Sequence, residues 1–81
     1  MEERIQLPEL GNEDDAPEQV EVSFWYVEEG EEVKEGEDLL EVITDKAAFT
    51  VPAPRGGTLK ETLRDEAQKV RPGEDIAVIE S

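Results

Sequence analysis

The sequence predicts an all-β fold, a flattened barrel or sandwich of two antiparallel sheets related by an approximate two-fold axis, with a lysine at a hairpin tip. Three observations carry that prediction. Apolar residues fall in short runs of strand length, set off by glycine, proline and acidic residues. A heptapeptide, Val33-Lys34-Glu35-Gly36-Glu37-Asp38-Leu39, recurs 37 residues later as Val70-Arg71-Pro72-Gly73-Glu74-Asp75-Ile76, with four identities. Finally, Leu39-Leu40-Glu41-Val42-Ile43 and Ala47-Ala48-Phe49-Thr50-Val51 are parted by a polar break short enough for a hairpin, with Asp45 and Lys46 at its tip.

Taken in order, Arg4-Ile5-Gln6-Leu7 alternates polar with apolar and reads as a first strand ending at Pro8. Gly11 to Pro17 is an acidic loop, too polar to bury. From Val20 to Val27 the alternation is crowded, with Val20, Val22 and Phe24 on one face and Trp25 and Val27 on the other. A strand covered on both sides near its end, as in a sandwich, accounts for this, and Trp25 is read as core rather than as a ligand site. Glu28-Glu29-Gly30 and Val33 to Asp38 supply turns, and the acids there form a solvated face.

After the hairpin, Val51-Pro52-Ala53-Pro54-Arg55-Gly56-Gly57 changes the chain direction. Thr58 to Leu63 has the composition of either a strand or two turns of helix, and the repeat favours strand. Arg64 to Lys69 is helical by propensity but occupies the place of the Glu28–Glu32 turn, so it is read as a loop. Ile76-Ala77-Val78-Ile79 closes the chain as a buried strand.

The repeat extends beyond the heptapeptide. Leu40 corresponds to Ala77, Val42 to Ile79, Val22 to Leu59, and Ala16-Pro17 to Ala53-Pro54. Two halves, about 9–45 and 46–81, are too few for a solenoid and are expected to pair into one closed domain spanning 1–81. At this offset Lys46 corresponds to Glu9 and to a position just past Ser81. The lysine turn is therefore expected at the pole opposite to where the chain enters and leaves.

Composition narrows the function. A chain of 81 residues has room for one small core. Lys plus Arg is 8 against 23 for Asp plus Glu, and the net charge of -15 argues against nucleic acid or an anionic membrane as partner. Regular apolar clusters separate this acidity from that of a disordered tail, and a salt-rich habitat is an alternative source of it. The chain has neither cysteine nor histidine, which removes disulfides, thiolate zinc sites and the commonest general base, so no metal site is expected and thiol chemistry enters only on an imported group. No apolar run approaches a membrane span and no signal peptide is visible, so a cytoplasmic or organelle-matrix location is expected.

Lys46 is the candidate functional residue. A solvated hairpin tip presents a lysine rather than burying it, and an amine that is to be acylated must be accessible and unpaired. Asp45-Lys46-Ala47 lies among Leu7-Pro8-Glu9-Leu10-Gly11, Trp25-Tyr26-Val27-Glu28-Glu29-Gly30-Glu31-Glu32-Val33, Gly36-Glu37-Asp38-Leu39 and Val51-Pro52-Ala53-Pro54. In that order these segments resemble the lipoyl domains of the biotinyl/lipoyl attachment family, as found in the dihydrolipoyl acyltransferase component of 2-oxo acid dehydrogenase complexes. The resemblance covers essentially the whole chain.

The resemblance implies covalent lipoic acid on Lys46, with Asp45 and Ala47 as flanking recognition residues that discourage wrong modification. It implies as partners a lipoate ligase or lipoyl transferase, a 2-oxo acid decarboxylase, an acyltransferase core and dihydrolipoamide dehydrogenase. It also implies that the acidic loop lies beside the lysine turn and aids partner recognition, although a plain solvated connection accounts for that loop as well. The isolated domain is expected to be monomeric and not itself an enzyme, whether free-standing or the N-terminal part of a longer acyltransferase. Biotin carriers have Met on both sides of the lysine, unlike this site, and they and an unmodified adaptor of the same fold are the alternatives. Ile43 stands where lipoyl domains usually have Glu or Gln.

Overall fold

The computed structural model describes residues 1–10 and 17–81. Its strands are β1 (Glu2–Gln6), β2 (Val20–Trp25), β3 (Glu32–Val33), β4 (Asp38–Ile43), β5 (Ala48–Pro52), β6 (Gly57–Thr62), β7 (Lys69–Val70) and β8 (Asp75–Glu80). They form two four-stranded sheets, β1-β8-β6-β3 and β5-β4-β2-β7, in which every pairing is antiparallel. Among the described residues there is no helix. The expected all-β sandwich of two related sheets is what the chain forms.

The heptapeptide repeat marks the corner at which the chain crosses from one sheet to the other. In each copy the glycine lies at positive φ, 89° at Gly36 and 93° at Gly73, a conformation open to a residue without a Cβ. The glutamate that follows accepts a backbone N–H from three residues upstream, Lys34 to Glu37 at 2.9 Å and Arg71 to Glu74 at 2.6 Å. The valine that opens each copy is buried on a two-residue strand. Sequence reading placed Val33 in a turn; pairing with β6 makes it a strand, as pairing with β2 does for Val70.

The same symmetry runs through the core. Val22 and Leu59, Leu39 and Ile76, Leu40 and Ala77, and Val42 and Ile79 are all buried. Adjacent buried residues such as Leu39-Leu40 and Ile76-Ala77 break strict alternation, because the register slips by one residue at Leu39 and at its counterpart Ile76. A bulge of this kind turns two consecutive side chains toward one face.

A second symmetric pair of bulges lies at Ser23 and Lys60. It corrects the expectation for Phe24: beyond Ser23 the parity of β2 flips, Phe24 faces solvent at 38% exposure, and it packs edge-on against Tyr26 at 4.8 Å. The same flip turns Trp25 against the core, where its indole N–H donates to the Arg64 carbonyl at 2.9 Å.

One part of the repeat follows a different offset. Gly36 and Gly73 donate their N–H groups to Ala53 and Leu7, so the residue corresponding to Ala53 is Leu7, not Ala16, which lies outside the described residues. Between β1 and β5 the spacing is 46 rather than 37, because the connection from β1 to β2 is longer than that from β5 to β6. Lys46 therefore does not correspond to Glu9. Its turn corresponds to the place where Met1 and Ser81 meet, hydrogen-bonded at 2.7 and 3.1 Å.

Those two places lie at opposite poles. Val33, whose partner Gly57 abuts Glu80, is joined by only four residues to Asp38, at the end of β4 remote from the lysine turn. The end of the first sheet that holds the termini thus sits over the end of the second sheet that lacks the turn.

Candidate functional site

The β4–β5 hairpin builds the site. Ile43 pairs with Ala48 as its last rung, and Thr44 donates its N–H to the Ala47 carbonyl at 2.8 Å, leaving Asp45 and Lys46 as a two-residue tip. Neither tip residue has positive φ, so this is not one of the primed turns that favour Asn-Gly. The Thr44 side chain supplies the missing closure. Its Oγ1 accepts the N–H groups of Lys46 and Ala47, each at 3.1 Å, and lies 3.3 Å from the Ala47 carbonyl, to which it donates.

Asp45, Lys46 and Ala47, the three residues singled out in the sequence, are contiguous and exposed at this tip, while Thr44 behind them is half-buried. The Lys46 ammonium makes no ion pair among the described residues. At the opposite pole, Arg55 pairs with Glu3 at 2.7 Å and Lys60 with Glu2. The lysine is therefore presented at the closed end of a hairpin, with no ion-pair partner among the described residues.

Beside the turn runs an open groove lined by Gln19, Val20, Glu21, Ile43, Asp45 and Lys69. Ile43 is half-buried in its wall, between Glu21 and Ala48 on the neighbouring strands, which suits an apolar residue where a carboxylate would be partly desolvated. The acidic loop expected next to the turn, Gly11 to Pro17, lies outside the described residues except for Pro17. Thr44 is the site residue that sequence reading missed. A threonine before an Asp-Lys break is a signal for a side-chain-closed turn, but β-propensity at a strand end explains it equally well.

The biotin/lipoyl family model, described as biotin-requiring enzyme, matches residues 3–79. The chain belongs to the biotin/lipoyl attachment family. Among curated relatives of this family member, the succinyltransferase component of the Rickettsia conorii 2-oxoglutarate dehydrogenase complex is 34% identical over 98% of the chain. The acetyltransferase component of the Haemophilus influenzae pyruvate dehydrogenase complex is 32% identical over all of it. The chain spans 19% and 13% of the length of these two relatives. The solved lipoyl domain of the Azotobacter vinelandii 2-oxoglutarate dehydrogenase complex superposes with a TM-score of 0.71 at 26% identity, covering 96% of this chain and 95% of that one.

In an attachment domain the protein's task is presentation, and the residues present suit a group joined through an amine. Lys46 offers an exposed primary amine on a four-carbon stem.

Proposed function

We propose that Lys46 carries lipoic acid in amide linkage and that the domain moves acyl groups and reducing equivalents between active sites of a 2-oxo acid dehydrogenase complex. The observation that carries this reading is the exposed Lys46 at a two-residue tip between Asp45 and Ala47, in a chain similar throughout to the acyltransferase components of such complexes.

In its uncharged form the Lys46 Nζ attacks the activated carboxyl carbon of lipoic acid; the C–N bond forms, the activating group departs and a proton is released. When bound, the lipoyl group supplies acyl-carrying and dithiol–disulfide chemistry, which a chain without cysteine cannot supply itself. The hydrogen bonds of the hairpin close the turn that carries the attachment point. Opposite-pole geometry keeps the strand ends at Met1 and Ser81 away from it, which suits a module anchored at one end and reactive at the other. Tethering of that kind raises the local concentration of a carried group to the millimolar range for short flexible links.

On this reading the partners are a lipoate ligase or lipoyl transferase, the decarboxylase, the acyltransferase core and dihydrolipoamide dehydrogenase. The domain is a carrier and catalyses none of their reactions. The family also contains biotin carriers, and Asp45 and Ala47 distinguish this site from the Met-flanked lysine that the resemblance associates with biotin.

Intact-mass measurement tests the reading. After incubation with a lipoate ligase the chain is expected to gain one lipoyl group, mapped by peptide mass to Lys46, with Lys34, Lys60 and Lys69 unmodified. A biotin ligase is expected to leave it unchanged. Biotin on Lys46, or a chain left bare by competent lipoyl ligases, would overturn the proposal.

A further inference from the structure

The conformation of the lysine-bearing tip depends on one side chain. Thr44 Oγ1 takes the backbone N–H groups of Lys46 and Ala47 at 3.1 Å each, and Ala47's carbonyl receives both the Thr44 N–H at 2.8 Å and the Thr44 hydroxyl at 3.3 Å. Without the hydroxyl, the Lys46 N–H would have only water at this exposed tip, and a two-residue loop of unprimed geometry matches the twist of its strands poorly.

The Lys46 ammonium has no ion-pair partner among the described residues, so the direction in which the side chain leaves the domain is set by its backbone. Thr44 fixes that backbone. We infer that Thr44 is a positioning residue for modification of Lys46: its hydroxyl holds the tip in one conformation, and the modifying ligase reads that conformation. The inference rests on the assignment of Lys46 as the lipoyl-bearing lysine.

An enzyme that recognises a turn already in place avoids the free-energy cost of ordering it. The loss is therefore expected in kcat/KM, chiefly through KM, and not in global stability, because the hydroxyl lies at the end of the hairpin, outside the core.

The test compares Thr44→Val, which keeps the branch and volume, with Thr44→Ser, which keeps the hydroxyl. Purified lipoate ligase provides one readout, followed by intact mass over time. Amide hydrogen exchange at Lys46 and Ala47 provides another, and thermal unfolding a third. Thr44→Val is expected to speed exchange at both amides and to lower kcat/KM about ten-fold, the equivalent of one modest hydrogen bond, while the domain stays folded. Thr44→Ser is expected to restore both to within about two-fold of the parent chain, since the bonding oxygen is kept. Should valine unfold the chain, Thr44→Ala against Thr44→Ser makes the same comparison.

Unchanged exchange and an unchanged modification rate in Thr44→Val would overturn the inference. So would an equal loss in the serine and valine variants, which would place the effect on the methyl group and not on the hydroxyl. If ligases leave the parent chain bare, the lipoyl assignment fails and the inference with it; slow exchange at Lys46 and Ala47 that depends on the Thr44 hydroxyl distinguishes this result from a turn that Thr44 never held.

Discussion

Two poles of the molecule are built on the same rung. At one, Thr44 donates its N–H to the carbonyl of Ala47 at 2.8 Å; at the other, Ser81 donates its N–H to the carbonyl of Met1 at 3.1 Å. The rungs before them also correspond, Ile43 opposite Ala48 and Glu80 opposite Glu2. What differs is the use made of the end. The terminal pole is laced with ion pairs, Lys60 to Glu2 and Glu80 and Arg55 to Glu3, and is closely packed where Gly57 meets Glu80. The lysine pole bridges the rung with two exposed residues and, among the described residues, leaves its cation unpaired. Pseudosymmetry supplies two similar strand-pair ends, and local chemistry ties one together with ion pairs and leaves the other as an exposed tip.

The sharpest way to break that distinction is to exchange the cations while keeping charge. Lys46→Arg is expected to abolish modification entirely, because a guanidinium remains protonated at neutral pH and is a poor nucleophile. Lys60→Arg at the other pole is expected to leave the mass gain on Lys46 intact. Stability should move by less than about 0.5 kcal/mol in the Lys46 variant, as for other exposed sites without partners. Modification of the Lys46→Arg chain at another lysine would show that display is not confined to the turn.

The next largest effect concerns packing. Gly57 begins β6 where Val20 begins β2, but it has φ 154°, and a Cβ there would lie 2.6 Å from both the Glu80 carbonyl oxygen and Ile79 Cγ2. Gly57→Ala must push the terminal strand away or distort β6, at a cost of about 2–4 kcal/mol. In a domain of this size that lowers the thermal midpoint by about 10 °C or more. Circular dichroism on heating reads this directly. A drop under about 4 °C, less than 1 kcal/mol, would mean that the terminal pole yields as readily as an open tip.

Much of this was legible in the sequence because the repeat is written in residues with few structural meanings. Gly36 and Gly73 can signal positive φ, and Glu37 and Glu74 follow each as turn acceptors; the repeat also had the helix-prone Arg64–Lys69 segment read as a loop, which it is up to Gln68, while Lys69 opens β7. Asp45, Lys46 and Ala47 were found because their neighbours are strand formers that force a turn. The bulges were not legible. Nothing in Val-Ser-Phe-Trp announces that Ser23 drops out of register, and so Phe24 was assigned to the wrong face. The slip from offset 37 to offset 46 was hidden because Ala16-Pro17 imitates Ala53-Pro54 in letters, whereas it is Leu7 that accepts from Gly73 as Ala53 accepts from Gly36. Thr44 went unnoticed because its role depends on where its oxygen points.

A smaller effect would measure how much the terminal ion pairs contribute. Lys60→Gln and Lys69→Gln remove the same charge from a chain of net charge -15, so both raise the overall repulsion equally. Lys60 is ion-paired with Glu2 and Glu80, whereas Lys69, across from Glu21 on β2, makes no ion pair among the described residues. The difference in stability between the two variants isolates the ion pairs and is expected to be about 0.2–1 kcal/mol at low ionic strength, with Lys60→Gln the weaker protein. Raising the salt to about 1 M, where screening acts within about 3 Å, should erase most of it. A difference that persists would point to packing of the lysine stem instead.

The smallest effect lies away from both poles, in the loops that repeat each other. Gly30 and Ala67 occupy equivalent turns, donating N–H to Leu59 at 2.7 Å and to Val22 at 2.8 Å, with φ of 95° and 70°. The left-handed region costs an L-residue about 1–2 kcal/mol, whereas glycine reaches it freely but brings more conformational entropy to the unfolded chain. Those terms nearly cancel, so Ala67→Gly should raise stability by about 0.5 kcal/mol, or 2–4 °C in thermal midpoint. The reverse exchange, Gly30→Ala, should cost a similar ~0.5 kcal/mol, and since a Cβ at Gly30 meets no atom of the surrounding domain within 4 Å, that cost is local backbone strain. Opposite signs at two equivalent positions would show that the halves of this domain obey one backbone geometry and differ in how well each half's residues fit it; equal signs would mean that the two turns are alike only in outline.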